Sequence, residues 1–563
     1  MIVLRPVSLF VALVLITSAC GVAPTAPSTG VPSDASAPRR GGTVLFAAQE
    51  PETLHPFRST GTQTNALVYR LAVEGLTAVA MDGSPRAVLA VEVPTVANGG
   101  VRLESDGAMS VRWTLRADVR WSDAVPLTSA DVRFTWRAVM TDPRTASREG
   151  YDLITAIETP DERTALVRYR AIDAAYANRF DALLPRHLLD GATDAVVDAY
   201  ARAPLGTGPF RITEFASGDH VTAERNERYR VAGRPYLDRV IFRFVSSVEA
   251  AKAQLRAGEV DAAGSLNEVD AAALEADAAI RVTSVPSPSV ETLAFNLARP
   301  GASDPHPVLG DVAVRRALLY ATPKALIVEK LLLGRTRPGT SEIPIGWAAR
   351  SGLTQEGYDP DRAAKLLEDA GWKRAGDGVR AKDGTRLALR VVSTTGNKLR
   401  EQIEQVLVDE WRAIGVELRI ANVPSAVLTG SWQANGVRKR GDFDVLLAQA
   451  GLGVTSPDPQ SYLAQRHRCD AIPRAENNGA GANYERFCDA RVDRLLDEAG
   501  RTLERERRRD LYGEVLGILN ERAIAIWLYD RGRYDAFRTR VRGYAANGWD
   551  VASWNAAEWY AAP

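Results

Sequence analysis

The sequence predicts an α/β protein with mixed sheets, divided into more than one packed lobe. Three observations carry this prediction. Segments with the two-residue period of a strand alternate with segments that have the 3.6-residue period of a helix. The chain has 563 residues, more than one hydrophobic core accommodates. Its composition, 45% hydrophobic and 25% charged, is that of an ordinary globular protein rather than a disordered or fibrous one.

A strand followed by a helix is predicted in the second hundred residues. Over 110–116 every second residue is apolar, which is typical of a half-buried strand. Thr128 and Asp131 then stand at the spacing of a capping-box variant and precede an apolar stripe of helical period. The helix is expected to end before Pro143.

Two further helices are predicted in the second half of the chain. Asp359 can cap a helix that begins at Pro360 and ends at Gly371. A longer amphipathic helix is expected over 398–414, where apolar residues recur at i, i+3 and i+4. Gly415 ends that helix, and a short alternating strand follows it.

The N-terminus carries a targeting signal. Arg5 and the apolar run behind it predict a signal peptide over 1–19, because the run is too short to anchor in a bilayer. The residues ending at Cys20 resemble a bacterial lipobox, with Thr17 where Leu is commonest. The segment 20–40 is rich in Pro, Ser, Thr, Ala and Gly and predicts a flexible tether behind a lipidated Cys20. The alternative is ordinary secretion.

The two remaining cysteines are expected to pair if the chain is exported. Cys469 and Cys488 lie 19 residues apart around a polar loop. A disulfide closing a loop of this length would stabilise the fold by about 3 kcal/mol in the chain-entropy picture. The alternative is two free thiols.

Several function classes are disfavoured by the sequence. The 70 basic and 70 acidic residues give a net charge of +0, which does not favour nucleic acid. The five histidines are too scattered for a metal site, and no motif of a nucleophilic or metal-dependent enzyme occurs. Ser217, Asp219 and His220 are neighbours in the chain and so form a poor triad candidate. We predict no enzyme activity, no metal and no cofactor.

A set of motifs resembles family 5 of the extracellular solute-binding proteins, the peptide and nickel receptors of ABC importers. The most specific is residues 120–136, close to that family's W-x-D-G-x-P-x-T-A-x-D-V-x-F, with Ala124 in place of the usual Gly. Other matching segments occur in the same order, at 74–76, 206–210, 258–261, 295–297, 314–318 and 358–372. The resemblance spans about residues 41 to 560.

The resemblance implies a bilobal periplasmic-binding-protein-like fold of class II, with a cleft between the lobes and an extra subdomain in lobe one. The ranges implied are 41–80 and 204–295 for lobe one, 81–203 for the extra subdomain, 296–527 for lobe two and 528–563 for the C-terminal part of lobe one. A ligand would hold the two lobes closed because only the closed state contacts it from both sides.

The resemblance also places ligand contacts on segments other than the family motifs, which are mostly structural. The implied ligand-binding residues are Thr60, Gly61, Thr62, Gly264, Ser265, Glu291, Thr292, Thr395, Asn397, Gln449, Gly451, Leu452, Gly453 and Thr455. For each of these residues the alternative is a place in the hinge or the core without contact to ligand.

Thr455 is the main departure from the pattern of the peptide receptors in this family. Those receptors usually carry an Asp there that pairs with the α-ammonium of the ligand. Either another acid replaces it, with Glu291 as the candidate, or the solute has no free amino terminus and is an oligosaccharide or another extended compound. Trp347 and Trp432 are candidate platforms for a sugar, and the alternative for each is a place in the core.

The expected partners are the permease subunits of an ABC importer, a peptide or other small solute, and the membrane through the lipid anchor. We expect a monomer outside the cytoplasm, in the periplasm or on the outer face of the cell membrane. A sensor and a secreted enzyme that uses the same fold are the alternatives.

Overall fold

A computed structural model describes residues 38–58, 63–299, 304–453 and 457–562 of the chain. The predicted signal peptide, Cys20 and most of the predicted tether lie outside the described residues. Residues 38–562 belong to one compact unit. Among the described residues, no helix has both the length and the apolar character that a membrane crossing requires.

Strands and helices alternate along the described chain, in agreement with the predicted α/β class. The strands are β1 (Thr43–Ala48), β2 (Thr77–Val79), β3 (Pro85–Ala87), β4 (Val101–Leu103), β5 (Met109–Thr114), β6 (Ile154–Asp161), β7 (Thr164–Tyr169), β8 (Phe210–Ala216), β9 (His220–Arg225), β10 (Arg239–Phe244), β11 (Ala262–Leu266), β12 (Ile280–Phe295), β13 (Lys373–Arg374), β14 (Arg380–Lys382), β15 (Thr385–Arg386), β16 (Ala388–Val392), β17 (Glu417–Ile420), β18 (Val445–Gly451), β19 (Ala525–Arg538), β20 (Val541–Arg542) and β21 (Tyr560–Ala561). The α-helices are α1 (Gln63–Tyr69), α2 (Ser129–Thr141), α3 (Arg186–Leu189), α4 (Asp194–Tyr200), α5 (Val248–Ala257), α6 (Glu268–Glu275), α7 (Val312–Tyr320), α8 (Lys324–Leu331), α9 (Pro360–Asp369), α10 (Lys398–Ala413), α11 (Ser425–Thr429), α12 (Val437–Arg440), α13 (Gln460–His467), α14 (Ala490–Gly500) and α15 (Arg505–Glu521).

One ten-stranded sheet runs through the molecule, in the order β17-β16-β18-β12-β19-β11-β1-β10-β9-β8. We call the half that contains β1 the first half, because β1 comes first in the chain; in it β11, β1 and β10 are parallel neighbours. In the other half, which we call the second, β17, β16 and β18 are parallel neighbours. The long strands β12 and β19 pair antiparallel with each other and belong to both halves. Their mutual register shifts between Pro286 and Val290, midway between the two halves.

Smaller sheets lie outside the ten-stranded one. The sheet β4-β5-β7-β6 falls within residues 81–203, where Val111 and Trp113 are fully buried. A three-stranded sheet of β13, β14 and β15 lies between α9 and β16 along the chain. The division of the chain into lobes with the ranges given above stays a prediction.

The local predictions agree with the structure. The Thr128 backbone N–H donates to Asp131 Oδ2 over 2.8 Å at the start of α2, so Asp131 caps this helix. Asp359 accepts a hydrogen bond from the Arg362 backbone N–H, with Pro360 in the first helical position of α9. The helix expected over 398–414 is α10, and its apolar stripe packs against β16 and β17.

Cys469 and Cys488 are joined by a disulfide with an Sγ–Sγ distance of 2.06 Å and a Cα–Cα distance of 4.6 Å. The bond ties the end of α13 to the residues that precede α14. Asn483, inside the loop that the bond closes, is fully buried and donates to the carbonyls of Arg468 and Phe487. Because the loop has its own buried hydrogen bonds, the disulfide stabilises an ordered segment.

Ala124 has a φ of +83°, in the region that glycine tolerates better than any residue with a Cβ. We expect Ala124→Gly to raise the free energy of unfolding by about 1 kcal/mol, because the strain of the left-handed conformation exceeds the extra entropy of glycine in the unfolded chain. Denaturant unfolding measures this change. Ala130→Gly, in the first turn of α2, is the control and should destabilise by about 0.5–1 kcal/mol. Destabilisation by both substitutions would contradict the prediction.

Candidate ligand-binding site

The two parallel parts of the sheet each present the carboxyl ends of their strands, the edge at which open α/β sheets bind ligands. In the first half these are the ends of β1, β10 and β11, and in the second half the ends of β16 and β18. Most of the predicted ligand-binding residues within the described range follow or end one of these strands.

A cavity of about 270 Å³ lies at the carboxyl edge of the first half. The predicted residues Gly264 and Ser265 line it, together with Gln63, which directly follows the predicted Thr60, Gly61 and Thr62. Those last three residues lie outside the described residues, so their contacts stay a prediction. Gly264 is required by close packing, because a Cβ there would lie 2.8 Å from an oxygen of the buried carboxylate described next.

Asp535, from β19, is the acid of this cavity and was missed by the sequence analysis. Its side chain is buried, and Oδ2 accepts hydrogen bonds from Arg533 Nε over 2.9 Å and from the Tyr544 hydroxyl over 2.5 Å. Asp535 Oδ1 is buried and has no hydrogen-bond partner among the described residues. The first half of the site therefore has an acceptor whose hydrogen bonding is incomplete.

Glu291 forms the centre of the second half of the site. It is fully buried, Oε1 accepts from Arg400 Nε over 2.6 Å, and Oε2 accepts from Arg531 Nη1 over 2.6 Å. Burial raises the pKa of Glu291, but the adjacent guanidinium groups outweigh burial and lower it below its usual range. Both carboxylate oxygens are already paired with arginines. The hypothesis that Glu291 holds a ligand ammonium stays a prediction.

Gln449 lies opposite Glu291 in the register of β12 and β18, and its side chain is exposed. Thr395 and Asn397 are exposed between the end of β16 and α10, where Asn397 caps the helix by accepting from the Arg400 backbone N–H over 3.2 Å. Gly453 is also exposed. These four predicted residues form the accessible part of the second half.

Two other predicted residues belong to the interior. Thr292 is buried and its hydroxyl donates to the Ala448 carbonyl over 3.0 Å within the sheet. Leu452 is buried in a hydrophobic cluster with α13, α14 and α15. The Thr292 side chain is thus already hydrogen-bonded and the Leu452 side chain is packed in the core. The ligand contact of either residue stays a prediction. Thr455 lies outside the described residues.

A buried polar network supports the segment that ends β18. The Gly451 backbone N–H donates to the Tyr462 hydroxyl over 2.7 Å, and that hydroxyl donates to Glu342 Oε1 over 2.5 Å. Glu342 is fully buried, and it also contacts His467 Nε2 over 2.5 Å and Arg466 Nε over 3.0 Å. We name these residues, Gly451 excepted, the Glu342 network. Its members fix the position of the glycine at the edge of the site.

The side chains considered as a serine triad or as platforms for a sugar make contacts with other residues of the protein. Ser217 Oγ accepts from Arg202, whereas His220 contacts Asp219 and Glu214, so no serine triad forms. The Trp347 indole donates to the Pro457 carbonyl and lies beside the guanidinium of Arg508. The Trp432 ring is covered on one face by Arg440, whose Cζ lies 3.9 Å from the ring centroid.

The model of a protein family matches residues 93–471 of the chain, and that family is described as bacterial extracellular solute-binding proteins, family 5 Middle. The chain belongs to this family. The oligopeptide-binding protein AppA of Bacillus subtilis is 26% identical over 452 residues, which is 78% of this chain and 79% of AppA.

Solved structures confirm the fold. NikZ from Campylobacter jejuni, in complex with Ni(L-His), aligns with a TM-score of 0.76 and 24% identity over 92% of this chain and 99% of NikZ. AppA from Bacillus subtilis, in complex with a nonapeptide, aligns with a TM-score of 0.74 and 23% identity over 94% of this chain and all of AppA. AgaA from A. tumefaciens R10, in complex with agropinic acid, aligns with a TM-score of 0.68 and 20% identity over 93% of this chain and 99% of AgaA.

The fold of this solute-binding protein is therefore the predicted bilobal α/β fold of class II. The two halves of the sheet, each with its carboxyl edge, provide the two sides of the candidate site, and β12 and β19 connect the halves. Within the described residues the structure brings Gly264 and Ser265 to one side, and Glu291, Thr395, Asn397 and Gln449 to the other. The residues that the sequence analysis missed are Arg400, Arg531 and Asp535, which carry no motif.

Proposed function

We propose that this solute-binding protein is the substrate-binding component of an ABC importer. It captures an oligopeptide or a similarly extended small solute between its lobes and delivers it unchanged to a membrane permease. The observation that supports this most strongly is the pair of carboxyl edges on one continuous sheet, because a guest held between them contacts both lobes only when they close. Among similar structures, AppA is in complex with a nonapeptide and NikZ is in complex with Ni(L-His).

The proposed hinge lies in the two long strands. Pro286 pairs with Gly532 and Val290 with Asp530, and between these pairs the register of β12 and β19 shifts. Arg531, in the middle of this segment, reaches Glu291. Closure would therefore bend β12 and β19 beside an ion pair that belongs to the site. We propose that the protein acts as a monomer outside the cytoplasm.

Ligand extraction tests the proposed function directly. Protein purified without added ligand is expected to carry a small solute that mass spectrometry detects and that keeps its mass after prolonged incubation with the protein. Small-angle scattering should show a more compact particle when the solute is returned to protein stripped of it. Chemical conversion of the solute would favour the enzyme alternative, and an unchanged scattering curve would reject closure.

Free tri- to pentapeptides are expected to bind weakly, because Thr455 replaces the usual carboxylate and Glu291 is paired with two arginines. Calorimetry with a peptide and its N-acetylated form measures the contribution of the ammonium, and the two affinities should be similar. Tight binding that N-acetylation abolishes would contradict this prediction. Asp535→Asn would then show whether the ammonium reaches the incompletely bonded carboxylate of the first half.

Cys20→Ala is expected to release the protein from membranes, because the proposed lipid anchor is attached to this thiol. Fractionation of cells that express either form measures the membrane-bound share. Ser18→Ala, which retains a small residue close to the cleavage site, is the matched control and should leave the protein membrane-bound. Unchanged membrane retention of Cys20→Ala would reject the anchor.

A further inference from the structure

A second cavity, of about 520 Å³, lies near the amino end of β18. Three arginines line it, Arg440, Arg474 and Arg486, and we name it the arginine pocket. Asn296 Nδ2 donates to the Gly441 carbonyl over 3.0 Å, which ties the end of α12 to the residue that follows β12. The candidate ligand-binding site begins at the opposite end of β18, about 20 Å away along a strand of this length. The arginine pocket is therefore a different site.

The charge of the arginine pocket is compensated only in part, by the nearby carboxylate of Glu485, which acts on Arg486. None of its three guanidinium groups forms an ion pair with a carboxylate in the described part of the chain, and the only acid in its lining is the exposed Glu476. Arg440 Nε is buried and has no hydrogen-bond partner among the described residues. Arg486 donates to the carbonyls of Tyr484 and Lys439, over 3.0 and 3.2 Å, which satisfies hydrogen bonds but leaves the charge.

Burial of a cation without a paired carboxylate is unfavourable, and Arg486 shows this cost. Loss of hydration and the nearby charge of Arg474 outweigh the effect of the Glu485 carboxylate and lower the pKa of Arg486 to about 10. Arg438 and Lys439, the neighbours of Arg440 on α12, also lack a carboxylate partner among the described residues, and burial lowers the pKa of both. An anion in the pocket would offset this unfavourable burial of positive charge.

The pocket is formed before any ligand arrives. Gly441 has a φ of +67°, and a Cβ there would lie 2.1 Å from Cζ of Arg486, so the guanidinium packs directly on the glycine backbone. Gly479 has a φ of +72°, and a Cβ there would lie 2.2 Å from Cβ of Trp432. Trp432 in turn lies under Arg440. Arg486 and Trp432 thus pack closely against the backbone of Gly441 and Gly479, where a larger residue would displace them.

We propose that the arginine pocket binds a small oxyanion with at least two negative charges, of the phosphate or polycarboxylate class. Guanidinium groups bind such anions through paired N–H donors, and several arginines converging on one cavity match more than one oxygen. The site is independent of the solute between the lobes and goes beyond the proposed function.

Calorimetric titration of the full-length purified protein tests this proposal. Inorganic phosphate and citrate are the probes, and chloride at matched ionic strength is the control for screening. Arg440→Gln and Arg474→Gln are each expected to weaken binding of the effective probe about tenfold. Arg474 is exposed, so that its substitution leaves the core intact. Arg133→Gln, which removes an exposed arginine from α2, is the matched control and should bind as the unchanged protein does.

Binding of phosphate alone or of citrate alone, with loss in both pocket variants, supports the proposal and assigns the class of anion. No binding of either probe at millimolar concentration would overturn it. Equal weakening in Arg133→Gln, or the same heat with chloride, would also overturn it, because both outcomes indicate general screening of positive charge. Thermal unfolding of every variant shows that the comparison is made on folded protein.

Discussion

Glu342→Gln is expected to lower the free energy of unfolding by about 3–5 kcal/mol at neutral pH, the range found when one partner of a buried ion pair is removed. The carboxylate is fully buried and is shared by His467, Arg466 and the Tyr462 hydroxyl. An amide retains the shape of the side chain but not its charge. Arg466 would then keep Glu485 as its acidic partner, while the contact with His467 loses its charge.

The stabilisation by Glu342 should depend on pH. Burial alone raises its pKa, but His467 and Arg466 outweigh burial and lower it from the ordinary 4.5 to about 2. A depressed carboxyl pKa stabilises the folded state fully above the unfolded pKa and loses that effect as the pH falls through the folded pKa. The difference between the unchanged protein and Glu342→Gln should therefore shrink as the pH falls from 4.5 towards 2.

Chemical denaturation over this pH range measures the effect. Glu329→Gln is the matched control, because Glu329 is exposed on α8 and, among the residues that the structure describes, pairs only with its neighbour Lys330. An exposed pair contributes at most about 1 kcal/mol, so this variant should unfold almost as the unchanged protein does. Equal losses in both variants, or a loss in Glu342→Gln that does not change with pH, would show that the buried network is not the cause.

Gly451→Ala is expected to destabilise the protein by about 1–3 kcal/mol and to reduce the amount of solute that co-purifies with it. Gly451 has a φ of +131°, and a Cβ there would lie 2.4 Å from the Pro288 carbonyl oxygen. The obstacle is backbone, so relief requires β12 and β18 to separate at the edge that carries Gln449. The segment would shift within the proposed site, and contacts from this side would weaken.

Gly453→Ala makes the same chemical change two residues later. A Cβ at Gly453 would have no heavy atom of the described residues within 4 Å. Its unfolding free energy should stay close to that of the unchanged protein. Quantitative mass spectrometry of bound solute, combined with thermal unfolding, separates the two variants. If Gly451→Ala co-purifies with as much solute as the unchanged protein, the segment that ends β18 does not belong to the binding site.

Local features of the fold could be predicted from the sequence because each depends on neighbouring residues. The capping pair Thr128 and Asp131 lies three residues apart, and the stripe of α10 repeats within a single helix. The disulfide between Cys469 and Cys488 was also predictable, since only two cysteines remain after Cys20. These signals need no knowledge of the rest of the chain.

The candidate site was predicted in part. The segments at the strand ends were located through the family resemblance, and Gly264, Ser265 and Gln449 lie at the expected edges. Thr292 and Leu452 were placed by the same resemblance but are buried, Thr292 within the ten-stranded sheet and Leu452 against α13, α14 and α15. Resemblance identifies a segment, whereas the burial of each side chain depends on how neighbouring elements pack.

The sequence by itself determined the class of fold, its family and the approximate ends of α2, α9 and α10, since these follow from period, capping and motif. It also favoured the pairing of the two remaining cysteines. Only the tertiary structure decided the charge of the site and the arginine pocket. Arg400 lies 109 residues from Glu291 in the chain and Arg531 lies 240 residues from it, yet both contact its carboxylate. An ion pair between distant residues leaves no local pattern, because its energy depends on distance and burial, which arise only when the chain has folded.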